Sequence, residues 1–274
     1  MELKKAYTEN VPQIEPDLED TTSDAFHDAA FKVLQPKSGH RSGMDALLLA
    51  SSVPQAAYGT LADLGSGAGV AGFAALNLND DLNLLAVEKN KKMAGLASKS
   101  LKLEGNELLN SRSRIVVADV TANGTERLKA GLEPESVSHV IMNPPYNKIT
   151  LRPSPDILKA EAYMLGEGGI DAWFRTAAAI IKPGGTLSVI YRTENLGDIL
   201  ACAQGRFGGL EILPVHSRSS EPAKRIIVRG TRGSRAPMSI VPGLVLHEQD
   251  GEFTSYAEKI FKGETHLDFS GQDR

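Results

Sequence analysis

Between residues 61 and 69 the chain reads Leu-Ala-Asp-Leu-Gly-Ser-Gly-Ala-Gly, an apolar run that leads directly into three closely spaced glycines. The apolar part predicts a buried strand over Thr60–Leu64, and the residues after the glycines predict a helix over Ala71–Asn77. Glycines between a strand and a helix allow backbone conformations that other residues resist, and they let a ligand approach the main chain closely. This stretch therefore predicts the first strand, turn and helix of a ligand-binding α/β sheet.

Short apolar runs and helical patterns continue to alternate on the carboxyl-terminal side of this unit. Further strands are predicted over Leu82–Glu88, Arg114–Ala118, Val137–Met142, Thr186–Tyr191, Leu210–Val215 and Arg225–Gly230, with a short strand and turn over Gly243–Gly251. Further helices are predicted over Asp45–Ser52, Lys91–Glu104, Asp171–Ile181, Leu196–Arg206 and Thr254–Lys262, the last with Thr254 as its cap and Gly263 as its stop. This alternation implies right-handed crossovers and a parallel, doubly wound α/β sheet. The last two long strands lack a full helix between them, which predicts an antiparallel pair at one edge.

Composition is typical of a soluble protein with one large domain. The chain has 274 residues, of which 41% are hydrophobic and 23% are charged, so it can bury an ample core without disulfides or structural metal. The lone cysteine, Cys202, cannot form an intrachain disulfide and suits a reducing compartment. No secretory signal is visible, and no run reaches the roughly 18 apolar residues of a membrane span. These features predict a cytoplasmic protein that does not cross a membrane, and the spacing of the histidines predicts no metal site.

Charge is distributed unevenly along the chain, although the net charge is only −4. Eight acidic residues and two lysines lie in Glu2–Asp28, which predicts a flexible acidic leader over residues 1–28. A single domain with a short amino-terminal lid segment is expected over residues 29–264, and a polar tail over residues 265–274. Six basic residues and one acidic residue lie in His216–Arg235. This basic segment predicts contacts with a nucleic-acid backbone, although a solvated loop can have the same composition.

Two features of the glycine-rich stretch bear on the identity of its ligand, and they favour different cofactors. The spacing Gly67-x-Gly69-x-x-Gly72 also fits a dinucleotide-binding fingerprint, so an NAD-dependent oxidoreductase is an alternative. Asp63 stands just before the glycines, where its carboxylate would attract the ammonium of a methionine moiety and repel a pyrophosphate. This charge favours S-adenosylmethionine as the cofactor, unless Asp63 only caps the turn. The other residues of the turn expected to bind it are Gly65, Ser66, Gly67 and Gly69.

Acidic residues at the ends of the next two strands are expected to hold an adenosine. Glu88 ends the second strand, where a carboxylate can accept hydrogen bonds from both ribose hydroxyls. Asp119 follows the third strand and is expected to accept from the adenine amino group, although either carboxylate can instead cap a helix or a loop. Further cofactor contacts are expected from the neighbours of these residues and from a lid ahead of the first helix, namely Lys89, Val120, Arg41 and Asp45. Asp45 can alternatively serve only as a first-turn helix charge.

After the fourth strand the chain reads Asn143-Pro144-Pro145-Tyr146. Two consecutive prolines prevent continuation as a helix or a paired strand and hold the backbone in an extended turn. The Asn143 side-chain oxygen and the Pro144 carbonyl can then accept hydrogen bonds from an exocyclic amino group, while the Tyr146 ring stacks on the attached heterocycle. The tetrapeptide therefore predicts a site for methylating an amino nitrogen on a planar group, with Asn143 also close to the cofactor. The alternative is a proline turn followed by an ordinary tyrosine.

Together these residues resemble the class I S-adenosylmethionine-dependent methyltransferases and, within them, the tRNA(Val) adenine-N6-methyltransferase family. The resemblance covers about residues 33–264 and rests on Gly39–Ala50, Asp63–Gly69, Val87-Glu88, Asn143–Tyr146, Lys182–Gly185, Leu244–Glu248 and Tyr256–Glu258. It implies a Rossmann-like fold whose seven-stranded, mostly parallel sheet has the order 3-2-1-4-5-7-6, with helices on both faces and no metal. The acidic leader lies outside the resemblance.

The resemblance also implies the reaction, which is methyl transfer from S-adenosylmethionine to the exocyclic amino nitrogen of adenine in RNA, with tRNA favoured. Acceptance of the amino hydrogens by Asn143 and Pro144 would stabilise the positive charge that develops on nitrogen, without a strong general base. Tyr146 would stack on the extruded base. Contacts with RNA are expected from Lys148, Arg152, Arg218, Lys224 and Arg225. A protein glutamine methyltransferase of the release-factor type and an rRNA guanine amino methyltransferase are alternatives, because relatives with the same tetrapeptide modify those groups.

Overall fold

The computed structural model describes residues 20–38, 41–145 and 168–271. Within these residues the strands are β1 (Thr21–Phe26), β2 (Phe31–Pro36), β3 (Gly59–Leu64), β4 (Leu82–Glu88), β5 (Ser113–Val117), β6 (Val137–Met142), β7 (Ile181–Arg192), β8 (Phe207–His216), β9 (Arg225–Arg232), β10 (Ser239–Ile240) and β11 (Leu244–Val245). The helices are α1 (Met44–Ser51), α2 (Val70–Leu78), α3 (Lys91–Ser100), α4 (Glu107–Arg112), α5 (Gly124–Lys129), α6 (Gly169–Ile180), α7 (Leu196–Ala203) and α8 (Ser255–Lys262). A 3-10 turn, Thr193–Asn195, connects β7 to α7.

Nine of the described strands form one sheet. Read from one edge, its order is β5-β4-β3-β6-β7-β9-β8-β10, and β11 also pairs with β8. The α/β class with a mostly parallel sheet agrees with the prediction, but the strand count is nine instead of seven and the complete order is correspondingly different. The additional strands, β10 and β11, lie along β8 beyond the long strands. β11 lies within Gly243–Gly251, where a short strand and turn were predicted, whereas β10 was not predicted, because its two residues are too few to show an alternating hydrophobic pattern.

The sheet has a parallel part and an antiparallel edge. Strands β3 to β7 are parallel, whereas β9 is antiparallel to both of its neighbours, β7 and β8. The predicted antiparallel pair at this edge is therefore confirmed. The chain passes from β3 through β4 to β5 in one direction and then returns to place β6 on the other side of β3. Because ligands bind beyond the carboxyl ends of parallel strands at such a switch point, the edge beside β3 and β6 is the candidate site.

Two hydrophobic clusters cover the two faces of the sheet. Phe73 of α2 belongs to one cluster and Phe174 of α6 to the other. Strand residues contribute to them alternately, since Leu61 of β3 lies in the first cluster and Ala62 lies in the second. Successive side chains of a strand point to opposite faces, so a sheet covered by helices on both sides requires apolar residues at both positions. This requirement explains the continuous apolar runs in the sequence.

Residues 20–28 contain β1 and the start of a turn, although the sequence placed them in a flexible leader. β1 pairs with β2 along its whole length, and residues 27–29 turn the chain with positive φ angles. Phe31 at the start of β2 is only 1% exposed, so the hairpin packs on the domain. The acidic composition was misleading because an acidic residue can have a specific partner within a folded strand. Asp24 of β1 forms an ion pair with Arg41 at 2.5 Å.

Several helix boundaries differ from those expected. The short helices α4 and α5 were not predicted, and α3 and α7 end earlier than their patterns indicated. Asn123 caps α5 by accepting a hydrogen bond from a first-turn amide, and Asn is a preferred cap residue, but the six residues of α5 are too few to show a helical hydrophobic pattern. At α8 the predicted cap Thr254 and stop Gly263 are confirmed. None of the helices within the described ranges combines the length and the apolar composition that crossing a bilayer requires.

Candidate active site

The predicted site segments meet at the carboxyl edge of the sheet. Leu64 at the end of β3 lies opposite Val87 of β4 and opposite Met142 of β6. The glycine turn that follows Leu64 therefore has Glu88 on one side and Asn143 on the other, because neighbouring strands are only about 4.8 Å apart. β5 runs parallel to β4, so the loop after β5 reaches the same edge. The fold thus gathers segments that are far apart in the sequence.

The glycine turn has a left-handed backbone at three positions. Gly65, Gly67 and Gly69 have φ angles of 73°, 57° and 95°, which favour glycine over other residues. The amides of Gly65 and Ser66 both donate to the Val87 carbonyl, at 2.8 and 3.0 Å, and hold the turn against β4. The Ser66 hydroxyl is buried and has no hydrogen-bond partner. It is therefore a polar group that a bound ligand can satisfy.

The turn is closed on one side and open on the other. A Cβ atom added to Gly65 would lie 2.5 Å from the ring of Trp173, a buried residue of α6. A Cβ atom added to Gly67 would approach nothing more closely than the Met93 Cε atom, at 3.7 Å. Gly65 is therefore packed on the core, whereas Gly67 faces space in which a ligand can approach the main chain.

Asp63 is a buried carboxylate beneath the turn, with 2% of its surface exposed. Its Oδ2 atom accepts a hydrogen bond from the Gly72 amide at 3.0 Å, near the start of α2. Burial raises the pKa of Asp63 from 3.8 to about 7; the Gly72 hydrogen bond opposes this shift, and the Glu88 carboxylate adds to it. Asp63 thus makes the capping contact that the sequence left as the alternative. Its charge changes near neutral pH.

The titration of Asp63 predicts how stability depends on pH. Because the pKa of Asp63 is about 7 in the folded chain against an ordinary 3.8, its contribution to stability is lost as pH rises through about 7. Asp63→Asn removes this loss, so the Tm of the variant relative to the wild type should increase between about pH 5 and about pH 7.5. Thermal unfolding of the ligand-free proteins measures it. His27 and His139, whose pKa values burial lowers, titrate in both proteins and cancel in the difference. A difference that stays constant with pH would contradict the prediction.

Glu88 links the glycine turn to the start of α3. Its Oε2 atom accepts from the Gly67 amide at 2.8 Å, and its Oε1 atom accepts from the Asn90 amide at 2.7 Å. Each carboxylate oxygen has two acceptor positions, so both can still accept from ligand hydroxyls. The neighbouring Lys89 is exposed. The ribose-binding role of Glu88 is compatible with this geometry and stays a prediction.

The loop after β5 is supported from α6. Asp119 is exposed, and its Oδ1 atom accepts hydrogen bonds from the amide and the hydroxyl of Thr121, at 2.8 and 2.7 Å. Val120 is buried, and its carbonyl accepts from the Thr176 hydroxyl at 2.6 Å. Thr176 and Trp173 belong to the same helix. α6 therefore supports both the loop after β5 and the glycine turn.

The described part of the tetrapeptide follows directly after β6. Asn143 is half-buried, Pro144 is buried and Pro145 is half-buried. The carbonyl of Pro145 accepts a hydrogen bond from the Tyr191 hydroxyl at 3.0 Å. Three predicted substrate residues lie outside the described residues, namely Tyr146, Lys148 and Arg152. Their roles stay predictions.

The two predicted lid residues are engaged by other side chains. Arg41 forms its ion pair with Asp24 of the amino-terminal hairpin. Asp45, in the first turn of α1, forms an ion pair with Arg225 at 3.0 Å. The sequence had assigned Asp45 to the cofactor and Arg225 to RNA, but the fold brings these two residues to each other. Their contacts with ligands stay predictions.

The basic segment does not form one continuous patch. Arg218 and Lys224 pair with Glu221 at 3.3 and 3.2 Å, in the turn between β8 and β9 at the carboxyl edge. Arg229 and Arg232 lie further along β9 and have acidic partners of their own. The eight residues of β9 span about 23 Å, so the segment extends from the site toward the opposite edge of the sheet. The three basic residues that were singled out from this segment are those nearest the site.

Three supporting residues could not be assigned to the site from the sequence. Trp173 is a buried core residue of α6, and nothing in the sequence indicates its contact with the glycine turn. Thr176 and Tyr191 are 56 and 46 residues away from the groups that they bind. Contacts across such separations have no local pattern, so no signal in the sequence could have identified them.

Comparison with known proteins identifies similar families and structures. The methyltransferase small domain family matches residues 41–207. A predicted O-methyltransferase from Agrobacterium tumefaciens is 36% identical in sequence, with 81% of this chain and 98% of that chain covered and a TM-score of 0.71. No curated protein matches significantly.

Two more distant structures share the fold. One is the methyltransferase subunit of a type I restriction-modification system from Streptococcus thermophilus, at 14% identity and a TM-score of 0.54, with 84% of this chain and 54% of that chain covered. The other is a 16S rRNA N2 methyltransferase from T. thermophilus in complex with AdoMet and guanosine, at 15% identity and a TM-score of 0.51, with 77% and 50% covered. The alternative of an NAD-dependent oxidoreductase receives no support from these comparisons.

Proposed function

Because this chain belongs to the methyltransferase small domain family and is an S-adenosylmethionine-dependent methyltransferase, we propose that it methylates the exocyclic amino nitrogen of adenine in RNA, with tRNA favoured. The observation that carries this proposal is the register of β3 and β6, in which Leu64 lies opposite Met142. Asn143 is therefore adjacent to the glycine turn. An amine held by Asn143 and a methyl donor bound over the turn would be neighbours, as transfer requires.

The residues of the glycine turn fit S-adenosylmethionine. The buried Ser66 hydroxyl lacks a partner, and the space beside Gly67 lets a ligand approach the backbone. Glu88 keeps acceptor positions for ribose hydroxyls, and Asp63 provides a carboxylate that is charged above about pH 7. When bound, S-adenosylmethionine supplies a sulfonium methyl group whose bond to sulfur breaks as a bond to nitrogen forms, with the electron pair left on sulfur.

The tetrapeptide provides acceptors for the amino group. The lone pair of an exocyclic amine is delocalised into its ring, so the free amine is a poor nucleophile. Acceptance of its two hydrogens by the Asn143 side-chain oxygen and the Pro144 carbonyl would favour a pyramidal nitrogen and stabilise its developing positive charge. One of these hydrogens then leaves as a proton to water. Tyr146 would stack on the base, an interaction worth roughly 1–3 kcal/mol.

The charges at the site edge support RNA as the substrate class. Arg218, Lys224 and Arg225 lie at the carboxyl edge, where the backbone of an RNA whose base enters the site would pass. Lys224 is the most exposed of the three, at 69% of its side chain. Phosphate groups would compete with Glu221 and Asp45 for these cations. Exposed ion pairs of this kind contribute only about 0–1 kcal/mol, so Glu221 and Asp45 would oppose phosphate binding only weakly.

A protein glutamine is the second candidate acceptor. The amide nitrogen of glutamine is planar, and the same two acceptors would hold it. The observation that favours this alternative is the pairing of the site-edge cations with acidic groups of the chain itself, which lowers the local positive charge. The Asn143 role is the same for both acceptors.

Transfer of labelled methyl groups distinguishes the candidates. Unmodified tRNA transcripts, ribosomal RNA, DNA and a protein extract would be incubated with labelled S-adenosylmethionine, followed by mass spectrometry of nucleosides and peptides. We expect N6-methyladenosine in tRNA. Label confined to protein glutamine would replace the RNA proposal with the second candidate, and a methyl group on oxygen would exclude both.

A further inference from the structure

Tyr191 makes a buried contact with the tetrapeptide. Its hydroxyl donates to the Pro145 carbonyl at 3.0 Å, and only 3% of the residue is exposed. Tyr191 lies near the carboxyl end of β7, the strand next to β6. A phenol in a core cluster could have been a phenylalanine unless its hydroxyl had a partner, because a buried hydroxyl without one costs free energy. The partner here is the backbone of the proposed acceptor site.

The prolines limit backbone pairing between β6 and β7 at this position. The ladder between β6 and β7 ends at Met142, which lies opposite Val189. Proline has no amide hydrogen, so the two residues after Asn143 cannot donate to β7 as strand residues would. Tyr191, two residues beyond Val189, donates from its side chain to the motif instead. The contact thus extends the attachment of β6 to β7 past the point where the backbone ladder stops.

One hydrogen bond is enough to fix the direction of this peptide group. The proline ring holds the φ angle of Pro145 at about −65°, so ψ is the one soft torsion that remains at that residue. The ψ angle sets the direction of the Pro145 carbonyl. A hydroxyl that holds this carbonyl therefore fixes the ψ angle of Pro145 and the orientation of the peptide group that contains the carbonyl.

The Tyr191 side chain is itself rigidly held. Tyr191 belongs to the hydrophobic cluster that includes Met142 and Val189, and it lies opposite Ile226 in the antiparallel pair of β7 and β9. A buried ring in such a cluster has little freedom to move its hydroxyl. The hydroxyl is therefore preorganised before any substrate binds.

We propose that Tyr191 is a positioning residue for the methyl acceptor, which acts through the Pro145 carbonyl on the orientation of the Asn143-Pro144-Pro145 backbone. The inference rests on the proposed function, because it concerns the same acceptor site. Its effect is expected on the acceptor more than on the methyl donor, because its hydroxyl holds the motif that follows β6. Tyr191 does not itself touch the reacting atoms.

Tyr191→Phe is the test, because it keeps the ring and removes only the hydroxyl. Turnover would be measured on whichever macromolecule accepts label from the wild-type enzyme, at saturating acceptor and S-adenosylmethionine. Trp173, the single tryptophan, contacts the glycine turn, so its fluorescence reports donor affinity and the number of binding-competent sites. We expect kcat per competent site to fall about ten-fold, the size of one lost orienting hydrogen bond, with donor Kd changed less than about two-fold.

Tyr256→Phe is the matched control. The Tyr256 hydroxyl donates to the His266 carbonyl at 2.9 Å and accepts from the Asp268 amide at 2.7 Å, in the carboxyl-terminal part of the chain. We expect this variant to lose thermal stability but to keep kcat per competent site. Equal kcat for Tyr191→Phe and the wild type, or equal losses in both variants, would overturn the positioning role. A wild-type enzyme that labels no amino nitrogen would instead refute the proposed function, and the inference would fall with it.

Discussion

Asn143→Ala is expected to lower turnover by about 10²–10³-fold while leaving the affinity for S-adenosylmethionine nearly unchanged. The magnitude is that of removing one oriented polar group that stabilises charge in a transition state. The charge develops on nitrogen only as the methyl group is transferred, so the side-chain oxygen of Asn143 contributes mainly to kcat. We expect donor binding to depend mainly on the turn after β3 and the end of β4, which pair with each other and keep their side chains in this variant.

His139→Ala is the appropriate control for Asn143→Ala. His139 lies on the same strand, and its Nδ1 atom is 2.7 Å from the Thr186 hydroxyl, so the control also removes a polar contact of β6. It lies toward the other end of the strand, away from the carboxyl edge. Turnover per competent site, measured with labelled donor, should be retained by His139→Ala and lost by Asn143→Ala. Unchanged turnover in Asn143→Ala would show that this residue does not hold the amine.

Gly65→Ala and Gly67→Ala are expected to affect different properties. At Gly65 the new Cβ atom would lie 2.5 Å from the buried Trp173 ring and the backbone is left-handed, so the fold must shift. Left-handed strain and overpacking together cost roughly 2–5 kcal/mol, which corresponds to a Tm lower by about 5–15 °C. At Gly67 the nearest atom is 3.7 Å away, so the strain of the backbone is the main cost. We expect the Cβ atom at Gly67 to occupy space that the cofactor would use.

Thermal unfolding and donor titration separate the two effects. Gly67→Ala should lose roughly 10- to 100-fold in affinity for S-adenosylmethionine with a smaller fall in Tm, a change of about 1.4–2.8 kcal/mol in binding free energy. Gly65→Ala should show the larger fall in Tm. If Gly67→Ala bound the donor as tightly as the wild type, the cofactor would not approach the backbone at this turn.

Much of the fold was predictable because its signals are local. The run from Leu61 to Gly69 predicted strand, turn and helix from the spacing of apolar residues and glycines, and the structure has β3, the turn and α2 there. Strand β1 was missed because it lies in a segment whose overall composition is acidic, and β2, which has no acidic residue, was assigned to the start of the domain without a strand. The packing of the hairpin that they form depends on Phe31 and on the ion pair of Asp24 with Arg41, which the local pattern does not reveal.

The candidate site was predictable only in part, because some of its contacts join residues that are far apart in the sequence. Asp63, Glu88 and Asn143 follow strands, so their position at the carboxyl edge could be expected once a parallel sheet was inferred. The sequence could not decide whether Asp63 caps α2 or binds a ligand, nor whether Asp45 pairs with Arg225 or binds a ligand. Each decision requires the position in space of the residue that is contacted. Such pairings depend on how distant elements pack.

By itself, the sequence determined which segments form strands and helices around the glycine turn and which residue types stand at the strand ends. Backbone propensity, hydrophobic spacing and the restrictions of glycine and proline act within a few residues of each other, so they are visible in the chain. Only the tertiary structure decided that β6 pairs with β3 beside the glycine turn, that Trp173 supports Gly65 and that Tyr191 holds the Pro145 carbonyl. These contacts join residues far apart in the chain, and their geometry exists only when the sheet is assembled.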